Sequence, residues 1–156
     1  MTTDEVLTQL RDGQRYHLRE LAVCGIEPRP GIYALWFGDR LLYVGISTKD
    51  PKDTTNPQAK GVPGRLGTYA RARLTSDFAV SVAFRFVVPE LAPDEVQRLA
   101  AGTMGVKDMQ ARVKAWIADN VELTVVLCDG PTAAAVERVA RRDGVGTGGP
   151  PEFNPA

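Results

Sequence analysis

A mixed α/β (α+β) fold is expected from this sequence, with a small three-stranded sheet flanked by helices. Three observations lead there. Two strand-like runs, Gly31–Phe37 and Leu41–Ile46, flank the turn-forming pair Gly38-Asp39 and read as a β-hairpin. A third run, Val121–Leu127, is continuous and β-branched. Around them, apolar residues recur at helical spacing. A chain of 156 residues, 44% hydrophobic, fits one domain with a sizeable core, here residues 1–156.

The elements follow in order. Residues 3–12 read as a helix capped by Thr3 and ended by Gly13, with Val6, Leu7 and Leu10 on one side. Residues 14–30 are an irregular lead-in, so that 1–29 form an N-terminal extension. After the hairpin, Ser47–Val62 is rich in Lys, Asp, Thr, Pro and Asn and reads as a mobile loop. Pro63 opens a helix that runs to about Leu74, with Leu66, Ala70 and Leu74 on one line. Asp77–Val88 alternates like a strand, yet Asp77, Ser81 and Arg85 form a polar seam at helical spacing. Ser76 is placed to cap a helix there, and helix is the preferred reading. Residues 93–101 and 106–119 read as two more helices, the second with Val106, Met109, Val113, Trp116 and Ile117 as its apolar stripe. The 77–119 segment is thus a mostly helical insertion. Pro131–Asp143 is a helix, and the glycine- and proline-rich tail 144–156 closes the core.

Composition narrows the function classes. No run of eighteen apolar residues exists, so no membrane span is expected. The N-terminus is acidic and polar, unlike a secretory signal, and cytoplasmic residence is the expectation. Cys24 and Cys128 sit in apolar settings without a CxxC partner and read as small buried hydrophobes. His17 is the only histidine, which excludes a cysteine–histidine zinc site. Net charge is zero, with 19 basic and 19 acidic residues, whereas nucleic-acid binders usually show a basic excess. The charges are unevenly spread, however. Lys60, Arg65, Arg71 and Arg73 follow one another with no acid between them, Arg138, Arg141 and Arg142 cluster later, and acids dominate from Glu90 to Glu122. One basic and one acidic face would satisfy both facts.

The residues that carry chemistry come from separate elements. Gly31-Ile32-Tyr33 and Tyr43-Val44-Gly45 place two phenols in one hairpin. Arg65 and Tyr69 are four residues apart and share a helix face. Arg65 can hold two phosphate oxygens through its planar fork. Glu137 has Ala133, Val136 and Ala140 beside it, so its carboxylate lies toward the apolar side of its helix, costly unless a charge meets it.

This ordered set resembles the GIY-YIG nuclease family, with Val44 in place of the usual isoleucine. The resemblance covers roughly residues 30–75 and 120–155 and implies a GIY-YIG-like sandwich. It implies a metal-dependent endonuclease hydrolysing phosphodiester bonds in DNA, RNA not being excluded. Tyr33 would be general base toward the attacking water, with Tyr43 and Tyr69 relaying the proton and Arg65 on the phosphate. Glu137 would be the ligand of one Mg²⁺ or Mn²⁺. Asn154, in the proline-flanked ending Pro150–Pro155, would position these groups. Lys60, Arg71 and Arg73 are candidate substrate contacts. Specificity would come from the 47–62 loop, the 77–119 insertion or a protein partner. The competing class is a non-catalytic nucleic-acid-binding or protein-interaction module of the same fold.

Overall fold

The computed structural model describes residues 1–48, 61–146 and 148–156. Its centre is an antiparallel sheet of four strands among the described residues: β1 (Tyr16–His17), β2 (Gly31–Phe37), β3 (Arg40–Ser47) and β4 (Glu122–Leu127), in the order β1-β4-β2-β3. The expected count of three strands is corrected by β1. Two residues are too few to show periodicity, and only pairing of Tyr16 with Leu123 and His17 with Glu122 makes them a strand. The hairpin turns through Gly38-Asp39 as expected, with Gly38 at φ 56°, a left-handed conformation that glycine adopts without strain.

The sheet has two covered faces. Tyr33, Leu35 and Leu123 face one core, closed by α2 (Gly61–Ala70), α3 (Asp77–Val82) and α5 (Val106–Asn120). Ile32, Ala34, Trp36, Val44 and Val126 face a second core, closed by α1 (Thr3–Asp12) and α6 (Gly130–Asp143). The remaining α-helix among the described residues, α4 (Pro93–Ala100), buries no residue fully. Between β2 and β3 the register slips at Leu35/Trp36, pairing Leu35 with Tyr43 but Trp36 with Leu41. The extra residue, Leu42, therefore packs on the same side as Tyr43. The tail then lines the edge strand: the amides of Glu152 and Phe153 donate to the carbonyls of Leu41 and Leu42. An edge that would otherwise present open hydrogen-bonding groups is partly closed.

Several boundaries move for local reasons. Thr2, not Thr3, caps α1: its hydroxyl accepts from the Glu5 amide while Glu5 accepts from the Thr2 amide. Helix α1 also buries Val6 and Leu10 against the second core, so this part of the expected extension is integral to the fold. Helix α2 starts two residues before Pro63 and stops at Ala70, and Ala72 turns left-handed at φ 49°. The ambiguous 77–88 stretch is helical, capped by Ser76 as expected, and continues as a wide turn of π-helix through Ala83–Val87. Val106 does not join the apolar stripe of α5, because at the first position of the helix it is 70% exposed. Cys24 and Cys128 are free and only half-buried, a correction to the expected burial. The mobile-loop reading of 47–62 falls mostly on residues 49–60, outside the described residues. No helix among the described residues is long and apolar enough to cross a membrane.

Candidate active site

Cross-strand geometry puts the first phenol in place. Tyr33 pairs with Gly45, and its ring lies so close over that glycine that an added Cβ would meet the ring and hydroxyl at 2.3–2.9 Å. The glycine of Tyr43-Val44-Gly45 therefore serves close approach, not turn formation. Helix α2 buries Val62, Leu66 and Tyr69, and that burial turns the Arg65/Tyr69 face toward the hairpin. The hydroxyls of Tyr33 and Tyr69 share a 3.0 Å hydrogen bond. The Tyr69 ring lies 5.6 Å from that of Tyr43 and 5.3 Å from that of Phe78. The Arg65 guanidinium sits 5.8 Å from the centre of the Tyr69 ring, an approach suited to cation–π attraction.

The charges of these groups are felt by one another. Burial first, then the neighbouring Tyr69 and Tyr43 phenols, push Tyr33 well above the ordinary tyrosine range, against a smaller opposing pull from Arg65. Burial also pushes Tyr43 up, helped by Tyr69 and by Glu137 and opposed by Arg65. Attraction to Tyr69 and then Tyr33 holds Arg65 firmly protonated, outweighing the effect of burial. Burial raises the Glu137 carboxyl above its usual value, while Arg141 and Arg65 pull it back. Helix α6 lies on the second face and packs on the edge strand β3, and the negative charge of Glu137 adds slightly to what keeps Tyr43 protonated. Groups from β2, β3 and α2 thus gather on the first face, while Glu137 on α6 is linked to them through charge alone.

Asn154 holds this site's edge. Its side-chain oxygen accepts from the Val44 amide at 3.1 Å, and its side-chain nitrogen donates to the Val44 carbonyl at 2.6 Å. Val44 follows Tyr43 and precedes Gly45, so the asparagine clamps the strand that carries the second phenol. Arg141 completes the clamp, its Nε donating to the Asn154 carbonyl at 2.9 Å. Sequence reasoning did not give Arg141 this positioning role. Its place four residues after Glu137 was the available signal.

The other expected site residues differ in burial and place. Tyr33 was expected to face the attacking water, yet it is 0% exposed and its hydroxyl is occupied by Tyr69, itself 2% exposed. Tyr43 is half-buried, and of the three phenols it is the one nearest to solvent. Arg71 and Arg73 are exposed beyond the end of α2 and are not drawn into the phenol cluster. Lys60 lies outside the described residues. The later basic cluster is partly spent: Arg142 pairs with Asp143 at 2.6 Å, and Arg141 holds the tail. Among the described residues, no group of three or more His, Cys, Asp or Glu side chains is placed to hold a metal. Glu137 is a single half-buried carboxylate, which suits a hard divalent cation that keeps most of its ligands as water and phosphate oxygen. No family model, curated protein or solved structure matches the chain.

Proposed function

We propose that this protein is a metal-dependent nuclease of the GIY-YIG type, hydrolysing phosphodiester bonds in DNA. The observation that carries the reading is the gathering of Tyr43, Tyr33, Tyr69 and Arg65 from three separate elements, with the half-buried Glu137 carboxylate on the helix behind the edge strand drawn toward the Arg65 charge. A guanidinium beside phenols and a lone carboxylate matches the needs of phosphoryl chemistry, namely charge neutralisation, a proton acceptor and a ligand for a cation.

Within this reading Arg65 binds two non-bridging phosphate oxygens through its fork. Tyr43, the phenol nearest to solvent, accepts the proton of the water that attacks phosphorus. Tyr33 and Tyr69 stand behind it as a hydrogen-bonded pair that fixes the cluster. The new P–O bond forms as the bond to the leaving oxygen breaks, and that oxygen takes a proton from water. Glu137 would hold one Mg²⁺ or Mn²⁺, which supplies neutralisation of charge on the phosphate and the leaving oxygen. A free phenol with a pKa near 10 is only about one part in a thousand ionised at pH 7. Because burial raises Tyr43 further, turnover at neutral pH would require Arg65 and the cation that Glu137 would hold to favour loss of its proton.

Zero net charge and phenols that resist ionisation favour a second reading, a module of the same fold that binds nucleic acid or a protein without cutting. A fluorescent-oligonucleotide assay separates the two. Cleavage in Mg²⁺ that stops on adding EDTA is the expected result. Retention of the oligonucleotide without any cleavage in Mg²⁺ or Mn²⁺ would support the binding module instead.

A further inference from the structure

A cleft of about 610 Å³ opens on the side of α2 opposite the phenols. Its floor is aliphatic, from Leu18, Leu21, Ile26 and Ile117, and its rim carries Arg19, Arg71 and Lys114, with no acid lining it among the described residues. Arg19 lies 3.8 Å from Asp119, whereas Arg71 and Lys114 have no acidic partner among the described residues.

Gly67 explains why the cleft is open. It lies inside α2, where glycine costs about 1 kcal/mol relative to alanine. An added Cβ there would meet nothing nearer than the flexible end of Arg71, at 3.3 Å. The helix therefore forgoes a side chain at a place where one would fit, and the space left is cleft. Residues 67 and 71 are displaced from 65 and 69 by about 200° around the helix, so the cleft and Arg65 are separated by roughly one helix diameter, ~10 Å. That span matches one or two nucleotides of a strand bound across both.

From this shape and charge we infer that the cleft receives one unpaired nucleotide of the substrate strand, its base on the aliphatic floor and its flanking phosphates on Arg71 and Lys114. A stacked, paired base cannot enter such a cleft, so the substrate class is a strand with at least one extruded or single-stranded base. The inference rests on the nucleic-acid reading of the phenol site.

The test is fluorescence anisotropy in EDTA with a fluorescein-labelled single-stranded dodecamer and its duplex. Wild type is expected to hold the single strand about tenfold more tightly than the duplex, as burial of one base's apolar surface on an aliphatic floor implies. Gly67→Leu fills the cleft, and Lys114→Glu reverses a rim charge on an exposed position. Each should weaken single-strand binding about tenfold and leave duplex binding within about twofold. Melting temperatures close to wild type would tie the loss to the cleft. Equal affinity of wild type for both forms, or unchanged single-strand affinity in both variants, overturns the inference. Metal-dependent cleavage by wild type, measured beside these, keeps the two readings apart. Cleavage without strand preference overturns the cleft alone, and strand preference without cleavage overturns the hydrolytic reading alone.

Discussion

The two faces of the sheet bury polar groups in opposite ways. On the second face Thr124 is 1% exposed, and its hydroxyl accepts from the Trp36 indole at 3.0 Å while donating to the Leu10 carbonyl at 2.7 Å. That network is neutral and closed, and it ties β2, β4 and α1 together. On the first face three phenols crowd one another beside a guanidinium, with the Tyr33 and Tyr69 hydroxyls sharing a hydrogen bond and the Tyr43 ring 5.6 Å from that of Tyr69. The same strand alternation produces both. The difference teaches that satisfied burial marks structure, whereas crowded, ionisation-resistant burial next to a fixed positive charge marks a candidate for chemistry.

The comparison can be broken most severely at Tyr43. Tyr43→Phe removes one hydroxyl and should lower the cleavage rate by about 10²–10⁴, the usual span for a general base. Tyr33→Phe should cost less, because that hydroxyl only steadies Tyr69. Equal losses in single-turnover assays would return the base to Tyr33. Arg65→Lys keeps the charge but loses the fork, and a fall of about 10²–10³ in rate is expected, with binding largely kept.

A pH profile sharpens the comparison further. The Tyr43 phenol lies above its ordinary value, so it is neutral at pH 7, and its ionised fraction grows tenfold per pH unit. Cleavage should accordingly rise up to about 100-fold between pH 7 and 9 where chemistry limits the rate. A flat profile measured under single-turnover conditions would remove a phenol from the proton transfer. The smallest effect belongs to the other face. Thr124→Val orphans the Trp36 indole and should cost about 1–3 kcal/mol in urea unfolding, with cleavage unchanged.

Much of this arrangement was legible in the chain. The hairpin, the strand at 121–127, the capped helix after Ser76 and the one-face pairing of Arg65 with Tyr69 all follow from short-range spacing. What depended on distant partners was not legible. The strand Tyr16–His17 exists only through β4. The bulge that aligns Leu42 with Tyr43 depends on register between β2 and β3. The enclosure of Tyr33 follows from Gly45 across the sheet and Tyr69 on a helix, which no local pattern encodes. Sequence could place phenols in one hairpin, but only packing decides which of them water reaches.

The decisive measurement is oligonucleotide cleavage by Glu137→Gln at ordinary Mg²⁺, read together with its thermal stability. Burial raises the Glu137 carboxyl, so the fold prefers it protonated, and the ionised group burdens stability at neutral pH and is relieved as pH falls. The neutral amide should therefore melt at or slightly above wild type. Loss of cleavage by at least about 10³-fold, in a variant that melts no lower and still binds the oligonucleotide, is the predicted result. Cleavage at the wild-type rate would contradict the account and leave the phenol cluster without a cation to serve.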